Sequence, residues 1–222
     1  MPRACPGSGL SPVVQNAARA AAERADPAWS LASQRRSRAG WPGSRLTAQA
    51  FVDESARGSN YHVCVAVVAD GDVDGLRRLV RSFCLPGQRR WHFVTERDSR
   101  RRQILDAVVG SGQLSALAFY GKGRDTDVRA ESFRRMVNPL LDRGVQRLII
   151  ESRQGRDQRD RQVLIEELRR LARPQPFRYV HLPPHGDPLL WVADALAWSH
   201  SAGGAWRARI ADITAAEDVS AP

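Results

Sequence analysis

Three carboxylates stand where apolar segments would not normally carry one. Asp53 closes the run Ala50-Phe51-Val52, and Glu151 closes Leu148-Ile149-Ile150. Asp194 interrupts Leu189-Leu190-Trp191-Val192-Ala193-Asp194-Ala195-Leu196-Ala197-Trp198. That last segment is apolar all round, which predicts a buried helix. An unpaired carboxylate there would be costly or would take up a proton. Asp194 therefore needs a partner: an arginine, a group of backbone amides or a cation. Carboxylate oxygens from two strand ends and a packing helix suit Mg²⁺ or Mn²⁺, which prefer oxygen ligands. Two such ions can clamp the attacking and leaving oxygens of a phosphodiester. Asp53, Glu151 and Asp194 are thus the candidate metal ligands and catalytic carboxylates, and nucleic acid the candidate partner.

Strand alternation places Ser55 on the face of Asp53 and Glu54 on the opposite one. Ser55 is a candidate substrate contact, whereas Glu54 reads as a surface charge or salt-bridge partner. Asp187 precedes Pro188 at a helix start, the pattern of an N-cap. It also lies seven residues, near two turns, before Asp194, so a ligand role is geometrically open. His92 and Arg153 are candidates for substrate binding, and Arg153 or Arg156 could neutralise Glu151. His181 and His185 flank Pro183-Pro184 and read as polar loop residues. No Gly-x-Ser-x-Gly, His-Glu-x-x-His, P-loop or Gly-rich dinucleotide pattern competes with the acids.

The elements that must position these acids are legible from about Gln49 onward. Ala50–Ser55 and the valine-rich Tyr61–Ala69 read as strands. The short turn between them makes an antiparallel hairpin. Asp70-Gly71-Asp72 can cap a helix from Val73 to Phe83. Trp91–Thr95 reads as a third strand, Arg97–Val109 as a helix and Leu114–Tyr120 as a strand. Asp127–Asp142 is a helix containing Pro139, Arg147–Ile150 a buried strand and Arg156–Leu171 an amphipathic helix. Phe177–Leu182 is the last strand, and a helix runs from Pro188 to about Trp198. The order predicts an α/β domain over residues 49–212: a mixed sheet with an antiparallel N-terminal hairpin, then strands alternating with helices. Residues 213–222 read as a frayed tail.

Composition narrows the class. The 222 residues carry a net charge of +10. Lys122 is the only lysine, and seven arginines against Glu23 and Asp26 put half of the charge in residues 1–48. That segment, rich in Ala, Arg, Ser and Pro, reads as a disordered basic tail with room for a short helix at Pro12–Arg24. No stretch reaches the ~20 apolar residues of a membrane span. Cys5, Cys64 and Cys84 form no Cys-x-x-Cys pair, which argues against a zinc site or disulfide framework and suits a cytoplasmic location.

Three stretches resemble one bacterial family, domain of unknown function family 3800, of the ribonuclease H-like superfamily. Val52-Asp53-Glu54-Ser55 is similar to that family's Asp-Glu-Ser strand end. Trp91-His92-Phe93-Val94-Thr95-Glu96 occupies the expected middle position. Leu190-Trp191-Val192-Ala193-Asp194 looks like the family's Leu-Gln-x-Ala-Asp, with Trp191 in place of glutamine and, earlier, Ala56 where relatives carry glycine. The resemblance covers about Ala50 to Ile210. It implies a ribonuclease H-like fold and a two-metal nuclease site, to which a further acid, Glu96, would contribute. The alternatives are a non-catalytic module of the same fold that binds nucleic acid or protein, and a metal-dependent hydrolase of small phosphate esters.

Overall fold

The computed structural model describes residues 47–172 and 177–220. The basic segment and its expected helix at Pro12–Arg24 lie outside the described residues. Strand β1 (Ala48–Arg57) and strand β2 (Asn60–Ala69) form the predicted hairpin, with Ala50 opposite Val67 and Asp53 opposite Cys64. Gly58 closes it at φ +60°, a left-handed conformation that glycine adopts without strain. Helix α1 (Asp70–Ser82) follows directly, then a 3₁₀ turn (Phe93–Thr95) and α2 (Asp98–Gly110). The rest alternates: β3 (Leu114–Lys122), α3 (Asp125–Asp142), β4 (Val145–Glu151), α4 (Asp157–Arg170), β5 (Arg178–Leu182), α5 (Pro188–Ala202), α6 (Gly204–Ile210) and β6 (Thr214–Asp218).

Among the described residues the sheet has six strands in the order β5-β4-β1-β2-β3-β6. β2 runs antiparallel to both β1 and β3, while β4 and β5 continue parallel to β1. This is the ribonuclease H-like arrangement that the element order predicts. Both sheet faces are covered, so the central strands are apolar on both sides. Phe51, Cys64, Ala66 and Ile149 pack against α1, α2 and α5. Ala50, Val52, Val63, Val65, Leu148 and Ile150 face α3 and α4.

Three expectations change. Trp91–Thr95 is not a strand but a short lead, extended at His92, into the 3₁₀ turn Phe93–Thr95: Trp91 and Phe93 are both fully buried, and the Phe93 amide donates to the Asp194 carboxylate instead of to a ladder. Of the stretch read as a frayed tail, Thr214–Asp218 forms β6, which pairs parallel with β3, and the Val219 amide donates to the Tyr120 carbonyl. The first helix begins at Asp70, with Ala69 as its N-cap and no side-chain cap bond. Beyond them, Gly203 at φ +70° ends α5 and separates it from α6, which carries Trp206.

Candidate active site

β1 and β4 are parallel neighbours, with Val52 opposite Ile150, so the residues that follow each, Asp53 and Glu151, emerge at one end of the sheet. Helix α5 packs across this face and brings Asp194 to the same place. All three carboxylates line one open cleft of about 460 Å³. Ser55, Arg90, His92, Arg153, Pro184 and Trp198 line it too. The structure thus brings the candidates Asp53, Glu151 and Asp194 to one cleft with Ser55, His92 and Arg153.

The cleft is short of positive charge. Asp53 is 4% exposed. Its Oδ1 accepts from the Glu54 amide at 2.7 Å and lies 3.4 Å from Arg153 Nη2. Burial, reinforced by the charges of Glu151 and Asp194, pushes the Asp53 carboxyl well above its usual range. Burial also raises Glu151 and Asp194. Asp194 Oδ2 accepts from the Phe93 amide at 3.0 Å, with His92 Nε2 3.7 Å away. Asp194 thus finds a backbone amide, one of the partners its apolar helix demanded. Among the described residues, the Glu151 carboxylate has no hydrogen bond or ion pair.

Asp187 and Glu96, the other two candidate ligands, do not line the cleft. Asp187 caps α5, accepting from the Leu189 amide at 3.0 Å, and its other oxygen pairs with Arg77 at 2.5 Å. Glu96 pairs with Arg100 at 2.7 Å, one turn away on α2. Each has its charge answered by an arginine. Trp191 is not a wall residue either. It is 3% exposed, packs edge-on against Trp91, and its indole N–H donates to the Pro184 carbonyl at 2.8 Å. It fixes the loop whose Pro184 borders the cleft.

The opposite face carries what sequence reasoning missed. Glu54 is a salt-bridge partner, as expected, but buried rather than on the surface. It is in direct contact with Arg129 of α3, which also grips Asp160 of α4 bidentately at 2.9 and 2.8 Å. His181 Nε2 lies 3.2 Å from the same aspartate, and its side chain is buried, not a polar loop group. A signal existed: Arg129 and Asp160 fall on the apolar stripes of their helices, four residues before Phe133 and Leu164. Arg153 Nε reaches Glu54 Oε1 at 3.0 Å and so joins this network to the cleft.

Two acidic groups could therefore attract a cation. Among the described residues, the ligand atoms of Asp157, Asp160 and His181 lie within 4.8 Å of one another, the spacing of a metal site. Both Asp160 oxygens are already held by Arg129. Burial opposes its charge, but the bonds from His181 and Arg129 outweigh that and hold the carboxyl below its usual range. There the arginine stands where a cation would. The cleft acids are the reverse case: more widely spread, raised in proton affinity and rich in unengaged oxygens. A pair of ions ~3.5–4 Å apart needs such a spread.

No family model and no curated protein matches the chain. Among solved structures it is similar to a chain of the PCNA:RNase HII complex from Archaeoglobus fulgidus. The TM-score is 0.47 at 16% identity, over 68% of this chain and 71% of that one. Among the described residues no helix is long and apolar enough to cross a membrane.

Proposed function

We propose that this protein is a metal-dependent phosphodiesterase acting on DNA or RNA, and a member of the domain of unknown function family 3800 that its motifs resemble. The observation that carries the reading is the cleft in which Asp53, Glu151 and Asp194 meet with their charges unbalanced. The donor set is oxygen only, which fits Mg²⁺ or Mn²⁺. These three residues would hold the ions; when bound, the metal supplies Lewis acidity and a nucleophilic hydroxide at neutral pH.

The chain's own groups do the rest. Arg153 and Arg90 at the rim offer positive charge to a phosphate. His92, 45% exposed on its side chain beside Asp194, can donate to a phosphate oxygen or to the departing oxygen. Ser55 Oγ is fixed by Ser201 Oγ at 3.0 Å and offers a neutral contact on the Asp53 face. Asp194 is oriented by the Phe93 amide before any ligand arrives, so its position does not depend on the cation.

The test is cleavage of end-labelled DNA and RNA by the purified protein with Mg²⁺, Mn²⁺ or chelator. Metal-dependent cleavage should disappear in Asp53→Asn while the variant keeps its cooperative melt. Cleavage by the variant at the wild-type rate would refute the role of Asp53. Turnover of small phosphate esters without nucleic-acid cleavage would move the protein to the ester-hydrolase alternative. One observation favours the non-catalytic alternative: Arg153 already leans on Asp53. Under that alternative, chelator and Mn²⁺ would give the same melting curve.

A further inference from the structure

The cleft contains a cation of its own. Arg153 follows β4 in the turn before α4, where its backbone amide donates to Asp157 Oδ1 at 2.9 Å. Its guanidinium touches both acids at the end of β1. The contact with Glu54 is a direct Nε–Oε1 bond of 3.0 Å, while that with Asp53 is looser, at 3.4 Å. Glu54 is immobilised by buried Arg129, which is fixed in turn by the two-toothed grip of Asp160. Arg153 is thus held closely on its Glu54 side and more loosely on its Asp53 side, and it lines the cleft with 43% of its side chain exposed.

We propose that Arg153 is a built-in competitor of the divalent cation: it neutralises Asp53 when the cleft holds no metal, yields that carboxylate when metal binds, and is then released to the substrate phosphate. Adjacent residues of one strand make this possible. Asp53 faces the cleft and Glu54 the opposite layer, and one guanidinium spans the end of the strand between them. Glu54 keeps the arginine beside the cleft after Asp53 is given up. A planar fork matches a phosphate better than a point charge does.

The inference rests on the metal reading of the cleft, and Mn²⁺ binding followed by electron paramagnetic resonance separates the two. Wild type, Arg153→Gln, Arg90→Gln and Asp53→Asn are compared, each with a melt to confirm folding. Arg90 lines the same cleft but is not among the ion-pair partners of Asp53, so it controls for a mere loss of positive charge. Site-to-site couplings of ordinary size correspond to roughly 5–150-fold in affinity. Arg153→Gln should bind Mn²⁺ about tenfold tighter than wild type, and by more than Arg90→Gln does. The same variant should raise KM for a nucleic-acid substrate more than it lowers kcat. Arg153→Lys, which keeps the charge but cannot span both acids, should fall between wild type and Arg153→Gln. A gain no larger than that of Arg90→Gln overturns the competitor role and leaves the metal site standing. Absence of Mn²⁺ binding in both wild type and Arg153→Gln overturns both.

Discussion

Replacing Asp53 by asparagine should make the metal-free protein more stable, although the residue is buried and central. The side chain keeps its shape, and its amide oxygen can still accept from the Glu54 amide, now bonded at 2.7 Å. What disappears is a charge that burial and two neighbouring carboxylates disfavour. Relief of like-charge repulsion at such a site is worth on the order of 1–3 kcal/mol. Against it stands one ion pair with a partly exposed arginine, worth about 0.5–1 kcal/mol. The net expectation is a gain of up to about 2.5 kcal/mol, at roughly 2–4 °C in Tm per kcal/mol for a domain of this size. The assay is a pair of thermal melts in chelator at pH 7.5, repeated with Mn²⁺. Wild type should be raised by saturating metal, by about 2.7 kcal/mol at a hundredfold excess over Kd, and Asp53→Asn should not respond. The pH dependence has a definite sign. Because the folded-state pKa of Asp53 lies above its unfolded value, the folded chain holds more protons between the two, and stability falls as pH rises through that window. The advantage of Asp53→Asn should therefore shrink towards acid pH. A variant clearly less stable than wild type in chelator would refute the reasoning, since Asp53 would then be one half of a structural ion pair.

The remaining perturbations separate structural from functional charge. Arg129→Met leaves Glu54 and Asp160 buried without their partner and should cost about 3–5 kcal/mol, measured by urea unfolding; a loss under 1 kcal/mol would show the network to be dispensable. Asp187→Asn weakens a cap and an ion pair, so Tm should drop by a few degrees, while Mn²⁺ affinity stays within about twofold if the residue is no ligand. His62 and His200 are buried with their Nδ1 atoms 3.0 Å apart, and burial lowers each to a pKa of about 4. The unfolded chain then takes up protons first as pH falls from 6.5 towards 4, so stability should decline over that range. Allowing for solvent screening, the loss is roughly 1–3 kcal/mol, and His62→Phe should flatten it in pH-dependent melts. A Cβ at Gly121 would meet the Ser220 backbone nitrogen at 3.0 Å. Gly121→Ala should thus loosen the segment beyond β6 and speed hydrogen exchange at Val219, whose amide bonds to Tyr120.

The parts of this fold that were legible in the sequence are those where one local pattern decides the outcome. Two strand-forming runs around Gly58-Ser59, the second rich in valine, specify a hairpin, and an apolar run ending in one acid specifies where that acid emerges. Asp187 before Pro188 specifies a helix start, and the cap is there. The 3₁₀ turn at Phe93 was not legible, because its backbone amide is answered by Asp194, 101 residues away. Nor was β6. Thr-Ala-Ala-Glu-Asp has neither alternation nor a buried face of its own, and four of its five residues are exposed. It is a strand because β3 offers it an edge.

Glu54 shows why the same pattern can inform and mislead. Alternation correctly turns it away from Asp53, but solvent is not the only thing on the other side of a covered sheet. In a three-layer fold the reverse face is also interior, so a carboxylate there must find a buried cation. Arg129 meets that need, and it is visible as the charged residue among the buried positions of α3. Adjacent acids on one strand thereby reach different electrostatic states: Glu54 is compensated by a buried arginine, whereas Asp53 has only a looser contact with a partly exposed one. Arg153 touches both, which makes the strand end a place where structural and exchangeable charge meet. If the cleft binds metal, the balance between the cation and Arg153 at Asp53 depends on how firmly Arg129 holds Glu54, whose carboxylate also anchors Arg153.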